Sequence, residues 1–476
     1  MSELKEGAKS YGAIMEGVIL KNLVLRWAMV LLLACGVCMW TGCGGSDDSD
    51  DTEETDNSDD DGGDDDGGDV NKTGVYEQDG GTVTEDLKTY AATGTDESAV
   101  YVYGAGTYTL TNGTLTKTGD TSSADDSNFY GNNAIVLAED GSTINITDCT
   151  LTSDSEGSNG AFAYEKDTVV NVRNCTISTT GNSARGVDAT YGGTINIWDS
   201  EITTTGAHCS ALATDRYDAA SGEPEVNAYN VIAEVSGDGS VGAYSTGTFY
   251  IEDCVFTSNG SGAAVIEGTN SITLVNTDMT VTLADKYGVM VYQSMSGDAL
   301  GNTGTFDMEG GSITVNGGPI LLNTNDEAYF TLEDVVLSGS DVILQTGKIN
   351  WGATATNGGV SHFTAINQDM TGNFVVDGYG NITAVFPNGS SLVGAIDPDN
   401  STNQNTGSIE GGYVSLTMDA TSTWTAAANS WVDELTLSTI NSIDASSGVT
   451  ITVDTLSGVS VTSPYTLPGG GTLVVN

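Results

Sequence analysis

A short motif returns along most of this chain at nearly constant spacing. It reads TINITDCTLTS from Thr143, VVNVRNCTIST from Val169 and TINIWDSEITT from Thr194. Apolar and polar residues alternate within each copy, which is typical of a β-strand with one buried face. The copies are most often about 25 residues apart, and they share a central apolar pair. These pairs are Tyr108/Leu110, Ile144/Ile146, Val170/Val172, Ile195/Ile197, Val226/Ala228, Phe249/Ile251, Ile272/Leu274, Phe306/Met308, Phe330/Leu332 and Phe363/Ala365.

A second short apolar strand lies between successive copies, as in AIVLA from Ala134 and GVMVY from Gly288. Two or three short strands per repeat, stacked at a constant period, are typical of a parallel β-helix. The chain contains 62 Gly and only 6 Pro, as in β proteins with many turns. We predict an all-β solenoid of about ten or more coils over residues 73–400. Residues 401–476 are predicted to form shorter coils or a capping β region.

A polar corner follows each apolar pair, and its residue type tolerates a left-handed turn. Stacked carboxylates about 4.8 Å apart would repel by about 3.5 kcal/mol at an effective dielectric constant of 20. An interposed Asn instead donates its amide to a neighbouring carboxylate. We interpret the row as a structural ladder, with a cation-binding row as the alternative. Its members are Asn112, Asp148, Asn174, Asp199, Asn230, Asp253, Asn276, Gly310, Asp334 and Asn367.

The position after the corner is predicted to point inward, and it is often a cysteine. Cys149 and Cys175 fall in adjacent coils, near enough for a disulfide. Cys254 lies three coils after Cys175, and Cys209 lies in another part of its coil. We interpret these cysteines as small buried side chains, with a Cys149–Cys175 bridge as the alternative. Their spacing does not match a metal site.

The N-terminal region has the order of a secretion signal. Basic residues precede the apolar run at residues 27–40, which is short for a transmembrane helix and typical of a signal-peptide core. The run leads to Cys43, and this order resembles a bacterial lipoprotein signal with an acylated cysteine. We predict a signal peptide over residues 1–42, including an upstream extension over 1–14, and lipidation at Cys43. Cleavage at Cys35 is the alternative.

Residues 43–72 are predicted to be the lipidated cysteine and a disordered linker. Asp47 to Asp69 is strongly acidic and has no apolar side chain, so it cannot form a core. The predicted location is therefore the cell envelope, with the chain anchored to a membrane and facing outside. The net charge of −52 argues against a nucleic-acid partner, since a phosphate backbone requires a basic patch.

The outward positions of the repeated strand predict a binding strip. One row is entirely asparagine, and the neighbouring row offers a guanidinium and two aromatic rings. Rings contact sugar C–H groups and amides bond hydroxyls, so a glycan is the predicted ligand. The alternative is an asparagine ladder that bonds only to itself. The predicted binding residues are Asn145, Asn171, Asn196, Asn227, Arg173, Trp198 and Tyr229.

Catalysis has weaker candidates. Arg216, Asp215, Asp218 and Arg185 fall in neighbouring coils and combine a base with carboxylates. The pectate-lyase-like and polygalacturonase-like families share the β-helix fold and use such groups. The paired Asp and Gly-His-Gly of the latter family are absent from this sequence. Exposed Arg–Asp pairs worth little energy are the alternative.

No cofactor is predicted apart from a weakly bound Ca²⁺. The loop DPDN offers Asp397, Asp399 and Asn400 as oxygen ligands, without the spacing of a full Ca²⁺ loop.

From about Ala99 to Thr425, the chain resembles secreted bacterial right-handed β-helix proteins described as adhesin-like. The resemblance rests on phrases such as FYGNNAIVLA, NCTISTTGNSARGV and GAAVIEGTNSITLVNTDM. The chain is more loosely similar to the pertactin-like passengers of autotransporters. The resemblance implies a right-handed parallel β-helix, and it transfers no catalytic residues. We predict a non-catalytic surface lipoprotein that contacts glycans or host or matrix proteins. A polysaccharide lyase or hydrolase and a passive surface coat are the alternatives.

Overall fold

In the computed structural model the described residues are 72–215, 222–294, 299–348, 358–397, 399 and 412–476. The predicted signal peptide, Cys43 and the linker up to residue 71 lie outside these ranges, as do Arg216, Asp218 and Asn400. Among the described residues, no helix is both long and apolar enough to cross a membrane.

The chain winds through parallel β-sheets, and each full coil adds one strand to sheet A, then B, then C. Sheet A contains Thr73–Asp79, Glu97–Tyr103, Val136–Ala138, Ala161–Tyr164, Val187–Thr190, Leu212–Asp215, Ala243–Ser245, Ala264–Glu267, Val289–Tyr292, Leu321–Asn323, Val342–Thr346 and Asn373–Val376. Sheet B contains Thr82–Asp86, Thr107–Thr111, Thr143–Thr147, Val169–Arg173, Thr194–Trp198, Glu225–Tyr229, Thr248–Glu252, Ser271–Val275, Thr303–Glu309, Glu327–Glu333, Val360–Ile366, Asn381–Phe386, Tyr413–Met418, Ser430–Leu437, Thr450–Ser457, Tyr465–Thr466 and Thr472–Val475.

Sheet C contains Thr89–Ala92, Thr114–Lys117, Thr150–Ser153, Thr176–Thr179, Glu201–Thr204, Ile232–Val235, Val255–Ser258, Asp278–Ala284, Ser312–Asn316 and Val336–Ser338. The later coils replace it with sheet D, which contains Asp369–Thr371, Ser391–Val393, Thr423–Ala426 and Ile443–Ala445. Helix α1 spans Ala124–Tyr130, between sheets C and A, and a 3-10 turn spans Ile440–Ser442.

The core consists of columns of equivalent residues from successive coils. Ile144, Val170, Ile195 and Val226 are in register on four consecutive strands of sheet B, and all four are fully buried. Every one of the ten apolar pairs found in the sequence is buried in the same way. Because each coil covers the apolar face of its neighbour, the core is continuous along the stack. The parallel β-helix prediction is confirmed, and the 12 strands of sheet A correspond to twelve full coils.

The polar corners adopt the predicted left-handed conformation. All ten have φ between 48° and 67°. Asn174 donates its amide to Asp148 Oδ1, and Asn230 donates to Asp199 Oδ1 at 2.9 Å. The alternation of Asn and Asp therefore exchanges a repulsive contact for a hydrogen bond. In the first coil Leu87 takes the same corner with φ 56°, which its residue type did not indicate.

The inward position beside each corner satisfies a backbone N–H. The N–H of Cys149 donates to Cys175 Sγ at 3.4 Å, and that of Cys175 donates to Ser200 Oγ at 3.0 Å. A buried N–H without a partner costs about 1–3 kcal/mol, so a small side chain that accepts a hydrogen bond is favoured there. The cysteines at 149, 175, 209 and 254 are buried and free, as expected of small core residues, and Cys149 and Cys175 are adjacent without a bridge.

The coils continue to the C-terminal end through sheets B and D. The last parallel strand, Thr472–Val475, pairs with Thr450–Ser457 on one side. On its other side it pairs antiparallel with the short strand Tyr465–Thr466. An open strand edge is a template for association with other chains, and this hairpin pairs with Thr472 and Leu473 at that edge.

Candidate functional site

The outward side chains of sheet B form the predicted strip. Arg173, Trp198 and Tyr229 are opposite one another on three consecutive strands. The asparagine row runs parallel to them two residues earlier in each strand. Outward positions of a strand recur every second residue, so the two rows share one face. The structure therefore brings together all seven predicted binding residues.

The planar groups of the first row, Arg173, Trp198 and Tyr229, are stacked, and Tyr250 of the neighbouring row contacts Tyr229 at a tilt of 45°. The guanidinium carbon of Arg173 lies 4.7 Å from the centre of the Trp198 ring, a cation–π geometry. The rings of Trp198 and Tyr229 are 5.9 Å apart and inclined by 9°, and Tyr250 follows at 5.7 Å from Tyr229. Arg173 also pairs with Asp199 at 3.5 Å. We call Arg173, Trp198, Tyr229 and Tyr250 the aromatic platform.

Tyr250 is a member of the platform that the sequence analysis missed. It lies opposite Asn227, so it continues the asparagine row and leans towards Tyr229. Its hydroxyl donates to Glu252 Oε2 at 3.0 Å, and partial burial together with this carboxylate raises the pKa of Tyr250. The repeat register places Tyr250 at the outward position that is Asn in the four preceding coils, so the sequence contained enough information to identify it.

The asparagine row bonds along its own length. The amides of Asn171, Asn196 and Asn227 donate to the preceding asparagine at 2.9, 3.0 and 3.0 Å. Asn145 donates to Thr109 Oγ1 at 3.4 Å. Each amide carries two N–H donors and two acceptor lone pairs, and the ladder uses one of each. The ladder thus fixes the side chains of this half-buried row with hydrogen-bonding capacity remaining.

The catalytic candidates that the structure describes lie on sheet A. Arg185 pairs with Asp215 at 2.5 Å and with Asp188 at 3.2 Å, and Arg185 also donates to Asn128 Oδ1 of helix α1. Asp188, from the strand segment GVDAT, joins them there. Arg185, Asp188 and Asp215 are 9%, 0% and 4% exposed. We call these three residues the buried triad.

Burial and charge act against each other in the triad. Desolvation raises the pKa of Asp188 well above its usual range, although Arg185 opposes that shift. Desolvation also disfavours the guanidinium, yet Asp215 and Asp188 together raise the pKa of Arg185. Perturbed carboxyls are common at catalytic sites and also in structural ion pairs. Here the guanidinium is already bonded to two carboxylates and an amide.

A second polar group adjoins the triad on the same face. Tyr292 donates to Glu267 Oε2 at 3.0 Å, and Tyr244 donates to the same oxygen. Glu267 is fully buried. Burial, the adjoining Tyr292 hydroxyl and then the Glu267 carboxylate raise the pKa of Tyr244. The arrangement buries a carboxylate with two hydroxyl donors, as a buried charge requires.

The candidate Ca²⁺ ligands differ in exposure. Asp397 is 1% exposed, Asp399 is exposed, and Asn400 lies outside the described residues. In the part of the chain that the structure describes, no cluster of three His, Cys, Asp or Glu side chains has a geometry suited to a metal ion.

Comparison with known proteins gives one family. A family model for a right-handed β-helix region matches residues 98–296. The matched segment includes the aromatic platform, the asparagine row and the buried triad. No curated protein matches the chain significantly.

Proposed function

We propose that this right-handed parallel β-helix protein binds an uncharged glycan on the outer face of sheet B and does not transform it. The observation that carries this proposal is the row of contacting planar groups from Arg173 to Tyr250 beside a hydrogen-bonded row of amides. Aromatic faces contact the C–H faces of sugar rings, and fixed amides bond the hydroxyl groups.

The charge around the strip favours a ligand without carboxylates. Glu225 and Glu252 lie on the same strands as the platform residues, and Asp199 pairs with its one guanidinium. The whole chain carries a net charge of −52. Like charges across an interface disfavour the wrong partner, so uronate-containing polymers are expected to be rejected.

The first test removes the platform rings. We expect the double variant Trp198→Ala/Tyr229→Ala to lose at least tenfold in affinity for the uncharged glycans that the protein binds on an array, since tenfold is about 1.4 kcal/mol. Titration calorimetry of the purified protein measures the dissociation constant. The matched control is Tyr103→Ala, which removes a half-buried outward tyrosine from sheet A.

The outcomes separate the proposed function from its alternatives. Binding unaffected by the double variant contradicts the platform as the site. A blank array across uncharged, acidic and host glycans indicates a passive coat, and capture of a matrix protein alone indicates a protein adhesin. Release of reducing or unsaturated sugar ends from a polysaccharide indicates a lyase or hydrolase. Among the described residues, the buried triad contains the predicted candidates for such an activity.

The proposal includes a location at the cell surface, through a lipid on Cys43. The support is the order of the N-terminal sequence, with an apolar run, a cysteine and a long acidic stretch. More than one acyl chain is needed for stable anchoring. We expect mass spectrometry to find the mature N-terminus at an acylated Cys43, and Cys43→Ser to release the protein from the membrane fraction. An unmodified N-terminus, or one at Cys35, contradicts the anchor at Cys43.

A further inference from the structure

Sheet B carries a second pair of stacked rings farther along the coils. Tyr329 and His362 are opposite each other on consecutive strands. Their ring centres are 4.4 Å apart and the planes differ by 15°. Glu327 Oε1 accepts from the Tyr329 hydroxyl at 2.8 Å and lies 3.0 Å from His362 Nε2. One carboxylate oxygen therefore holds both rings parallel.

This cluster is open to solvent. The side chains of His362 and Glu327 are 33% and 42% exposed, and Tyr329 is 41% exposed. None of the three belongs to the apolar core. Exposed ion pairs contribute little to folding, and the two stacked rings present an apolar face beside a hydrogen-bonding carboxylate. The second oxygen of the Glu327 carboxylate can still accept hydrogen bonds from a ligand.

The outward surface between the two aromatic groups consists of small polar side chains. Two strands separate Tyr250 from Tyr329, and their outward side chains in the two relevant rows are Ser271, Thr273, Thr305 and Asp307. These residues are hydroxyl or carboxylate groups, and none is bulky. Within these two rows of the described strands, a linear ligand meets small hydrogen-bonding groups.

The two groups define a line across the sheet. Trp198 and Tyr229 occupy the last position of their strands, Tyr250 lies two residues earlier in its strand, and Tyr329 and His362 lie two residues earlier again. Six strand spacings of about 4.8 Å and a shift of four residues of about 3.3 Å each separate Trp198 from His362, which makes the oblique line about 32 Å long. A sugar residue in a linear chain advances by a length similar to one strand spacing, so the line fits roughly six sugars.

We propose that Tyr329, His362 and Glu327 form a second subsite for the same ligand, a linear uncharged polysaccharide that lies obliquely along sheet B. This inference rests on the proposed function, because the aromatic platform is the first subsite. A chain long enough to reach both subsites makes the second contact from an already bound state, which raises its affinity well beyond that of a short chain. The ligand is therefore a polymer, not a terminal sugar.

The test is a chain-length series. The probes are β-1,4-linked glucan, mannan and xylan oligosaccharides from dimer to octamer, titrated into the purified protein. For the wild type we expect at least a tenfold rise in affinity between the trimer and the hexamer. The double variant Tyr329→Ala/His362→Ala should lose this rise and bind the trimer as the wild type does. Tyr103→Ala is again the matched control, and circular dichroism verifies that each variant is folded.

Each outcome separates this inference from the proposed function. If the double variant binds the hexamer as tightly as the wild type, while Trp198→Ala abolishes binding, the second subsite is wrong and the platform stands. If the rise with length survives in both variants, the ligand does not lie along this line. If none of the series binds the wild type, the second subsite for a linear polysaccharide of this class is wrong, and a blank glycan array as well contradicts the proposed function itself.

Discussion

The outer faces of sheets A and B are built from the same coils and are used in opposite ways. On sheet B, Arg173 faces solvent with 52% of its side chain exposed, and it meets one carboxylate at 3.5 Å. On sheet A, Arg185 is 9% exposed and meets two carboxylates and an amide. The same residue types are thus exposed on one face and buried on the other. Solvent access, and not composition, distinguishes the two faces.

The inserted helix α1 accounts for the difference in exposure between the two faces. Helix α1 begins at the N-cap Ser123, whose side chain accepts from the N–H of Asp126. The helix places Asn128 on Arg185, and the carbonyl of Phe129 accepts from Thr190 on sheet A. Polar groups buried in this way require partners, and helix α1 supplies them. No described helix lies over sheet B, so its outward side chains keep contact with solvent.

The strongest test of this contrast replaces the two arginines. Arg185→Met leaves Asp188 and Asp215 buried without their cation, and removing one partner of a buried pair costs about 3–5 kcal/mol. Arg173→Met removes an exposed pair, which contributes about 0–1 kcal/mol. We expect a large fall in the urea midpoint for the first variant and almost none for the second, measured by circular dichroism.

Glycan binding should show the reverse order. Arg173→Met removes a planar group from the platform and weakens binding, whereas folded Arg185→Met retains the affinity of the wild type. Equal losses of stability in the two variants would mean that the triad is not a distinct structural element. Loss of binding in folded Arg185→Met would move the site to sheet A.

A second test concerns Asp326, at the turn from sheet A to sheet B. It is 3% exposed, and one oxygen accepts from the N–H of Glu327 at 2.7 Å. Burial raises the pKa of Asp326 to about 7. The native state therefore binds more protons than the unfolded state between about pH 4 and pH 7. Native stability from this group is complete below that window and is lost as the pH rises through it.

The Asp326→Asn variant has no carboxyl group to ionise at this position, so it does not lose stability as the pH rises. We expect the variant to unfold at a higher urea concentration than the wild type at pH 8, and at nearly the same concentration at pH 4. The difference should be about 2–4 kcal/mol, since one pKa unit is about 1.4 kcal/mol. High salt should leave the difference in place, because desolvation is not a screened interaction between charges. A pH-independent difference would contradict the assignment.

The sequence predicted the parts of the structure that repeat. Ile144, Val170 and Ile195 share a column because the inward positions of every coil face the same kind of neighbour. The corners were predicted because few residue types tolerate a positive φ. Both constraints act on each coil, so they produce a period that is visible in a single sequence.

The parts that do not repeat were harder to predict. Tyr329 and His362 occupy outward positions, where no packing constraint produces a period, so two rings in consecutive coils did not stand out among ordinary surface residues. The burial of Arg185 depends on helix α1, which occurs once in the described chain. The complete burial of Asp188 beside Arg185 is likewise not visible in the segment GVDAT. The fold was therefore predicted well, whereas the burial of polar side chains on the outer face of sheet A was not.

The smallest expected effect lies at the corner row beside the platform. Asn174 stands between Asp148 and Asp199 and donates its amide to Asp148. Asn174→Asp would place three exposed carboxylates in a row, with neighbours about 4.8 Å apart and a repulsion of about 1 kcal/mol per pair in water. We expect a loss of about 1–2 kcal/mol in urea at low salt, and most of it should vanish at high salt because exposed charges are screened.

The matched control for this variant is Asn367→Asp, whose neighbours in the row are Asp334 and the uncharged Asn388. With one like-charged neighbour instead of two, it should lose about half as much stability. A salt-independent loss of equal size in both variants would show that the hydrogen bond, and not the repulsion, dominates the ladder. The salt response also sharpens the contrast between the two faces. Dissolved ions screen the repulsion between exposed carboxylates at the corner of sheet B. The ion pairs of the buried triad on sheet A should be insensitive to salt, since solvent ions do not reach them.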